Sequence, residues 1–129
     1  MKRSVTFALV PVPKPRQTRR DVWLSPPRPA VARYRAFADR MREIAQANRF
    51  DFPEAGASIL FAMPMPPSWS KKKRAQMHGE PHRQKPDLDN LTKATLDALC
   101  EEDCTVWRLG SLTKYWADQG SITIAQEAA

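Results

Sequence analysis

Two aspartates separated by a single residue, Asp87 and Asp89, are the strongest candidates for chemistry in this chain. Pro86 restricts the preceding Lys85 to extended backbone, so Asp87 is expected at a junction between a loop and a helix. Side chains two residues apart share a face in an extended segment but diverge on a regular helix. The two carboxylates therefore converge only if Asp87 lies outside the helix, where they could bind a divalent cation such as Mg²⁺.

The charge around this pair contrasts with that of the whole chain. The protein has 21 lysines and arginines against 14 acids, a net charge of +7, which favours an anionic partner and nucleic acid first. Residues 87–103 nevertheless hold six acids and one lysine. Carboxylates beside a phosphate backbone repel it unless a metal ion lies between them, as in metal-dependent phosphodiester hydrolases. In the alternative interpretation, these acids only cap a helix and cover its solvent-exposed face.

Lys93 follows Asp89 by four residues and is therefore predicted on the same face of a helix. There its ammonium group could stabilise negative charge on a phosphate under attack. Its alternative role is a surface ion pair with Asp89 or Asp97, worth about 0.3 to 0.5 kcal/mol. Asp97 lies about 12 Å beyond Asp89 along a helix and is expected to face solvent.

Two basic segments are predicted to bind a nucleic-acid backbone, the alternative being solvated basic loops. Residues 1–20 carry six basic residues and no acid, and residues 71–85 carry six basic residues and one acid. Trp69, before the second segment, is expected either to stack on an exposed base or to pack as an ordinary tryptophan. The expected phosphate contacts are Arg16, Arg19, Arg20, Lys71, Lys72, Lys73, Arg74 and Lys85.

Hydrophobic periodicity predicts the elements that position these residues. Strands are predicted over 4–10, 58–63, 104–116 and 121–125, and helices over 30–48, with Tyr34, Phe37, Met41 and Ile44 buried, and over about 88–99. The proline-rich stretches 11–29 and 64–86 are predicted as long loops. The expected fold is α/β (α+β): one domain over residues 1–129, with a mixed β-sheet of about four strands packed against two main helices.

Composition narrows the class of protein further. The 129 residues suit one domain, and 42% hydrophobic with 27% charged residues excludes disorder throughout. The sequence lacks an apolar run of bilayer length, so no membrane association and a cytoplasmic location are expected. Cys100 and Cys104 lack the spacing of a structural zinc site. His78 and His82 are separated by a glycine and a proline and are not expected to bind metal.

Several segments together resemble the RusA family of Holliday junction resolvases, small enzymes typically encoded by phages and prophages. The resemblance rests on Asp87-Leu88-Asp89-Asn90-Leu91 with Lys93, on Leu96-Asp97-Ala98-Leu99, and on Glu102-Asp103 before Val106-Trp107. The strand-like start, the stretch from Pro64 to Trp69 and the terminal Gly120-Ser121-Ile122-Thr123-Ile124 also fit. The similarity therefore covers most of the chain.

The resemblance implies an Mg²⁺-dependent endodeoxyribonuclease, with Mn²⁺ able to substitute, that makes paired symmetric nicks in four-way DNA junctions during recombination and repair. It implies a homodimer, which is also expected because two equivalent strands require two equivalent sites. The family's metal-binding acids fall on Asp87, Asp89 and Asp103, and its catalytic lysine falls on Lys93. No small-molecule cofactor is expected.

The third acid departs from the family's pattern, which usually shows two aspartates where this chain has Glu102 and Asp103. A helix over residues 88–99 spans about 17 Å, and four extended residues return only about 13 Å. Asp103 therefore reaches the metal only if the helix ends early or the connection runs straight back. Glu102 is the alternative ligand.

Two other functions are compatible with the same residues. One is a less selective structure-specific nuclease that cuts flaps or RNA. The other is a non-catalytic basic DNA-binding accessory protein, in which the acidic motif only caps a helix. The accessory protein would bind junctions without cutting them in any divalent ion, so a cleavage assay separates it from the nucleases.

Overall fold

The computed structural model describes residues 3–16 and 19–126, except for the side chain of Asp103. Its helices are α1 (Arg19–Trp23), α2 (Pro29–Ala47), α3 (Lys71–Met77) and α4 (Leu88–Leu99), and its strands are β1 (Arg3–Phe7), β2 (Ala55–Pro64), β3 (Arg108–Ala117) and β4 (Ser121–Gln126). The predicted α+β class is confirmed, because a four-stranded mixed sheet packs with two main helices. Within the described ranges, no helix is long and apolar enough to cross a membrane.

The strands of the sheet lie in the order β1-β4-β2-β3. β4 is antiparallel to both of its neighbours, with Ile124 opposite Val5 on β1 and Ile59 on β2. β2 and β3 are parallel, and a parallel pair needs a long crossover connection. Helices α3 and α4 both lie in this crossover. The second basic segment and the acidic pair therefore belong to one connection between neighbouring strands.

One face of the sheet encloses the hydrophobic core together with α2 and α4. On α2 the predicted Tyr34, Phe37 and Met41 are buried and Ile44 is half-buried; on α4 Leu91, Ala94 and Ala98 are buried. Buried residues recur at intervals of three and four because that spacing keeps them on one side of a helix. This packing fixes the orientation of α4 and of the acidic pair at its N-terminal end.

The opposite face of the sheet has an uncharged centre. A row of four side chains crosses all the strands, from Thr6 through Thr123 and Leu60 to Thr113. The hydroxyl oxygens of Thr6 and Thr123 lie 3.1 Å apart, and Leu60 is 37% exposed. A second row, from Ser4 through Ala125 and Ser58 to Ser111, is also uncharged. The net positive charge of the chain therefore lies elsewhere on its surface.

Two short helices occur where loops were predicted, so the prediction of uninterrupted loops over 11–29 and 64–86 was wrong. The hydroxyl of Ser70 accepts a hydrogen bond from the backbone nitrogen of Lys73 at 3.1 Å, which caps α3 and satisfies one of its unpaired N–H groups. The prolines of both stretches flank the helices and do not interrupt them. Proline therefore marks the ends of these elements without excluding a turn or two of helix between.

The predicted strand bounds need smaller corrections. β1 ends at Phe7 and not at Val10. The strand predicted from Cys104 begins only at Arg108, because a 3₁₀ turn occupies Asp103–Thr105. Beyond β3, residues 79–82 run beside its outer edge, where the backbone nitrogen of His82 donates to the carbonyl of Lys114 at 3.0 Å. This edge pairing connects the end of α3 to the approach to Asp87.

Candidate active site

Asp87 occupies the position immediately before α4, with extended backbone (φ −69°, ψ 147°). It therefore lies outside the helix, as the convergence of two carboxylates requires. Aspartate at this position commonly accepts a hydrogen bond from the first turn of the helix, yet the Asp87 side chain makes no capping hydrogen bond. The side chain is exposed. Its oxygens are thus accessible to a ligand from solvent.

Asp89 lies in the first turn of α4 and is also exposed. Its Oδ1 accepts a hydrogen bond from the backbone nitrogen of Asn90 at 2.9 Å. The unpaired N–H groups and the positive dipole end of a helix N-terminus favour anionic groups. Asp87 and Asp89 therefore place carboxylate oxygens where a phosphate oxygen is also favoured.

Lys93 and Asp97 form the ion pair of the alternative interpretation, since Lys93 Nζ lies 4.0 Å from Asp97 Oδ2. The closer partner of Asp97 is Lys14, whose Nζ donates to Oδ2 at 2.8 Å. The Asp97 side chain is only 20% exposed, so the expectation that it faces solvent was wrong. Burial acts to lower the pKa of Lys14, but Asp97 and Tyr34 together raise it above its ordinary value. Lys93 itself is 59% exposed and can reach a ligand.

Lys114 on β3 is a component of the site that sequence reasoning missed. Its ammonium group donates to the carbonyl oxygens of Gln84 at 2.6 Å and Pro86 at 2.7 Å. Burial lowers the pKa of Lys114, and the nearby Asp87 carboxylate opposes that shift. Lys114 therefore holds the backbone immediately before Asp87 in place. The available signal was its position on the same strand face as Trp116, where a charged residue is unexpected.

A cavity of about 700 Å³ adjoins Asp87. Asp87 and Asn90 contribute one part of its wall, whereas Asp89 is not among the described lining residues. Cations reach it from three segments, through Lys14, Arg33 and Lys85. The remaining lining is largely proline and hydrophobic: Val10, Pro11, Val12, Pro13, Met63, Pro64, Pro66, His82, Gln84, Pro86 and Trp116. The lining of the cavity is thus mostly apolar, with basic side chains and one carboxylate, that of Asp87.

His82 lines this cavity but is only 6% exposed. Its ring lies 4.2 Å from that of Trp116, measured between centroids, and its Nδ1 is buried without a hydrogen-bond partner in the described part of the chain. Burial, followed by the charge of Lys114, lowers the pKa of His82 below its ordinary value of 6.5. His82 is therefore neutral near pH 7 and serves here as a packing group.

The basic segment around α3 is divided between exposed and packed side chains. Lys71, Lys72 and Lys73 are exposed, as a phosphate-contacting surface requires. Arg74 is half-buried, donates to the carbonyl of Pro66 at 3.0 Å and lies 3.5 Å from the Asp118 carboxylate. Among the predicted contacts in this segment, Arg74 therefore has a structural role through its hydrogen bond and its ion pair.

Trp69 follows the packed interpretation and not the stacking one. Its ring lies 4.8 Å from that of Trp116, and the ammonium group of Lys73 lies 4.3 Å from its ring centroid. It is half-buried against the core. Trp69 therefore joins α3 to the hydrophobic core, and its ring is shielded from a base by these neighbours.

The other basic segment is organised by an ion pair that the sequence did not reveal. Asp21 on α1 is only 3% exposed, and both of its carboxylate oxygens accept from Arg28, at 2.6 and 2.8 Å. Arg28 also donates to the carbonyl of Arg16 at 2.7 Å. The hydrogen bond with Asp21 raises the pKa of Arg28. Arg19 and Arg20, by contrast, are exposed on α1.

The predicted third metal-binding acid is not placed by the structure. The side chain of Asp103 lies outside the described residues, and α4 does not end early, because it continues to Leu99. Glu102 lines a separate cavity with Leu99 and Glu54, beyond the end of α4 opposite to Asp87. In the described part of the chain, no three His, Cys, Asp or Glu side chains are grouped to hold a metal ion. The described carboxylates at the α4 N-terminus are a pair.

Paired carboxylates at a helix N-terminus, bordered by exposed basic segments on an α+β fold, are typical of enzymes that act on nucleic-acid phosphates. The sequence profile of the family described as endodeoxyribonuclease RusA matches residues 8–125, and the chain belongs to this family. The resemblance inferred from the motifs is thereby confirmed, and the class of activity is that of an endonuclease. Comparison with curated proteins gives no match.

Proposed function

We propose that the protein cuts four-way DNA junctions by Mg²⁺-dependent hydrolysis of phosphodiester bonds. The observation that carries the proposal is that Asp87 occupies the N-cap position of α4 but its side chain does not cap the helix. The chain that carries this carboxylate belongs to the RusA family. The accessory-protein alternative requires the acidic motif to act as a cap. An exposed carboxylate without that contact is better suited to binding a ligand.

The donor set fits Mg²⁺, which prefers carboxylate oxygens and usually keeps several of its waters. Asp87 and Asp89 are exposed at one helix end, and we assign them as ligands, with Asp103 as the proposed third ligand. Mn²⁺ has the same preference for oxygen and would substitute. A bound ion would polarise the scissile phosphate and make a water molecule more acidic.

The protein's own groups have distinct roles in this proposal. Lys93, one turn beyond Asp89 and 59% exposed, exchanges its long contact with Asp97 for the negative charge of the phosphate. Lys114 keeps Asp87 oriented through the carbonyl of Pro86. Water attacks phosphorus, the bond to the 3′ oxygen breaks, and the products carry a 5′-phosphate and a 3′-hydroxyl.

The exposed cations of the two basic segments are proposed to hold the DNA arms. Lys85 lines the cavity beside Asp87, the three lysines of α3 follow β2 in the same crossover, and Arg16, Arg19 and Arg20 lie on the preceding loop and α1. Each phosphate contact releases counterions, so junction binding is expected to weaken steeply with salt. Arg74 is expected to contribute least, because its guanidinium already has partners.

A homodimer is part of the proposal, because two equivalent strands of a junction are cut at related positions. The face of the sheet centred on Thr6, Thr123, Leu60 and Thr113 supports it. This face has no charge in either central row, so two copies of a chain with net charge +7 can meet there without bringing like charges together. Sheets pack face to face at a distance of about 10 Å.

Replacing Asp87 by Asn tests the proposed function. In Mg²⁺, the Asp87→Asn variant is expected to lose cleavage of a synthetic four-way junction by on the order of 10³-fold or more, because a charged ligand is removed. Junction binding is expected to be unchanged or tighter, because a negative charge beside the phosphates disappears. Gel assays with junction, flap and linear substrates separate a resolvase from a less selective nuclease.

Asp39→Asn is the matched control, since Asp39 is exposed on α2 and has no place in the site. It makes the same change of charge and is expected to cut normally. Mg²⁺-dependent nicking retained by Asp87→Asn would reject the assignment of Asp87. Junction binding by the wild-type protein with no cleavage in Mg²⁺ or Mn²⁺ would establish the accessory-protein alternative.

A further inference from the structure

Helix α1 presents the two most exposed large apolar side chains in the described part of the chain. Trp23 is 84% exposed and Val22 is 74% exposed. A single exposed apolar residue needs no explanation, but a whole indole ring in solvent is an unusual use of tryptophan. The adjacent Asp21 is 3% exposed, so the short helix has one anchored side and one side that presents the ring.

The anchored side ties the backbone of α1 to its neighbours. Arg28 donates hydrogen bonds to both carboxylate oxygens of Asp21, at 2.6 and 2.8 Å, and to the carbonyl of Arg16, at 2.7 Å. Arg28 is the residue that precedes α2, so its guanidinium group connects the start of α2 to α1 and to the loop before α1. A ring carried on backbone that is already anchored loses less conformational entropy on binding than one on a free loop, which favours it as a contact.

The charge around the ring is positive. Arg16, Arg19 and Arg20 are exposed, whereas the carboxylate of Asp21 is neutralised by Arg28. Arginines and an accessible aromatic ring are the combination with which proteins hold single-stranded nucleic acid, the cations on phosphates and the ring on a base. This local charge selects a polyanion over an apolar protein partner.

The position of α1 connects it to the candidate active site. The backbone nitrogen of Lys14 donates to the carbonyl of Asn90 at 3.4 Å, and its side chain pairs with Asp97 at 2.8 Å. Arg16, two residues further and so within about 7 Å, is held by Arg28. The loop that carries α1 is therefore fastened to α4 near Asp87.

We propose that Trp23 is a stacking platform for a nucleobase whose face is exposed at a DNA branch point, with Arg19 and Arg20 holding the flanking phosphates. The inference rests on the proposed function and adds to it a source of selectivity. Base pairs inside a continuous duplex are stacked on both faces, whereas a branch point offers bases with an open face. Trp23 therefore favours branched over linear DNA.

Trp107 provides a matched control within the same chain. It is 71% exposed and has an arginine beside it, Arg108, whose guanidinium carbon lies 6.0 Å from the ring centroid. It follows the acidic residues Glu101 and Glu102, however, and its backbone nitrogen donates to the carbonyl of Glu54 at 2.9 Å. Acidic residues precede it in the sequence, whereas arginines precede Trp23, so its removal tests the loss of an exposed tryptophan as such.

The experiment measures binding of the full chain, without divalent ions, to a fluorescent four-way junction and to a linear duplex of the same sequence. Trp23→Ala is expected to bind the junction about 10-fold more weakly and the duplex less than about 2-fold more weakly. Trp23→Phe is expected to retain most of the affinity, and Trp107→Ala all of it. A junction with 2-aminopurine at the branch point is expected to be quenched by the wild-type protein and by Trp107→Ala but not by Trp23→Ala.

Equal losses on junction and duplex, or no loss on the junction, would overturn the inference. Circular dichroism of Trp23→Ala checks that the fold is intact, which its exposure predicts. The proposed function fails by a different result, the absence of Mg²⁺-dependent junction cleavage by the wild-type protein. Selective loss of junction binding in Trp23→Ala would stand even then, because it is measured without cleavage.

Discussion

Helices α1 and α3 invite comparison, because each is a short helix in a proline-rich basic stretch and each has a tryptophan at or near one end. Beside α3 the tryptophan, Trp69, packs 4.8 Å from Trp116, and the ammonium group of Lys73 lies 4.3 Å from its ring centroid. In α1 the tryptophan, Trp23, is 84% exposed. Similar local composition has therefore produced one tryptophan that stabilises the fold and one that is presented to solvent.

The difference follows from what holds each helix in place. α3 is attached through the packed ring of Trp69 and through Arg74, and Lys71 and Lys72 remain exposed. α1 is attached through the Asp21–Arg28 ion pair, which leaves its apolar side chains without a surface to cover. The basic segment at α3, whose tryptophan is packed, offers phosphate contacts only, whereas the one at α1 also offers an exposed aromatic ring.

The largest expected effect comes from replacing each of the two tryptophans by alanine. Trp69→Ala is expected to reduce the free energy of unfolding by about 3 kcal/mol, because a large ring packed on the core is lost. Trp23→Ala is expected to change it by less than about 0.5 kcal/mol, as for an exposed residue. Urea denaturation followed by circular dichroism measures both. Similar losses in the two variants would show that the rings do not differ as described.

Arg28→Met tests the anchor of α1. The substitution keeps much of the side-chain volume but leaves the Asp21 carboxylate, 3% exposed, without its charged partner. The expected loss of unfolding free energy is about 2 kcal/mol, the scale of hydrogen bonds to a buried charged group. Junction selectivity is expected to fall as in Trp23→Ala, because the ring is no longer held. Arg40→Met, at an exposed pair on α2, is the control and is expected to leave both measurements unchanged.

The smallest expected effect concerns His82, which packs against Trp116, as Trp69 also does. Because its pKa is lowered in the folded protein, the unfolded chain binds a proton first as the pH falls below 6.5, the ordinary value. The free energy of unfolding therefore decreases with falling pH until the folded protein is protonated as well, by at most about 1.4 kcal/mol per pH unit.

His82→Gln removes this contribution, so its stability is expected to decline less between about pH 7 and about pH 5. Urea denaturation at several pH values measures the difference. His78→Gln, which changes an exposed histidine at the end of α3, is expected to behave as the wild-type protein. An identical decline in His82→Gln and the wild-type protein would contradict the role of burial at His82.

Much of the fold could be predicted because it depends on local patterns. Apolar residues at intervals of three and four identified α2 and α4, and the predicted bounds of α4 match Leu88–Leu99. Helices α1 and α3 were missed because they are too short to show a period, and the prolines around them masked their helical turns. The position of Asp87 just outside α4 followed from Pro86 and the helix pattern alone.

The surroundings of the site could not be predicted in the same way. Asp97 was expected in solvent but is partnered by Lys14, 83 residues away in the sequence, and Lys114 reaches Pro86 across 28 residues. Trp69 and Trp23 both lie among prolines and basic residues, so the sequence does not indicate which of the two rings is free to stack. Each of these outcomes depends on which distant segment of the chain packs beside the residue in the folded protein.

The sequence by itself therefore determined the family, the fold class and the acidic pair at the start of α4, because motifs and helical periods are properties of consecutive residues. Tertiary structure alone decided that Asp87 leaves its helix uncapped, that Lys114 holds the backbone before it, and that Trp23 and not Trp69 has an exposed ring. The reason is that exposure and ion pairing depend on contacts between segments far apart in the chain, and these contacts exist only once the core has formed.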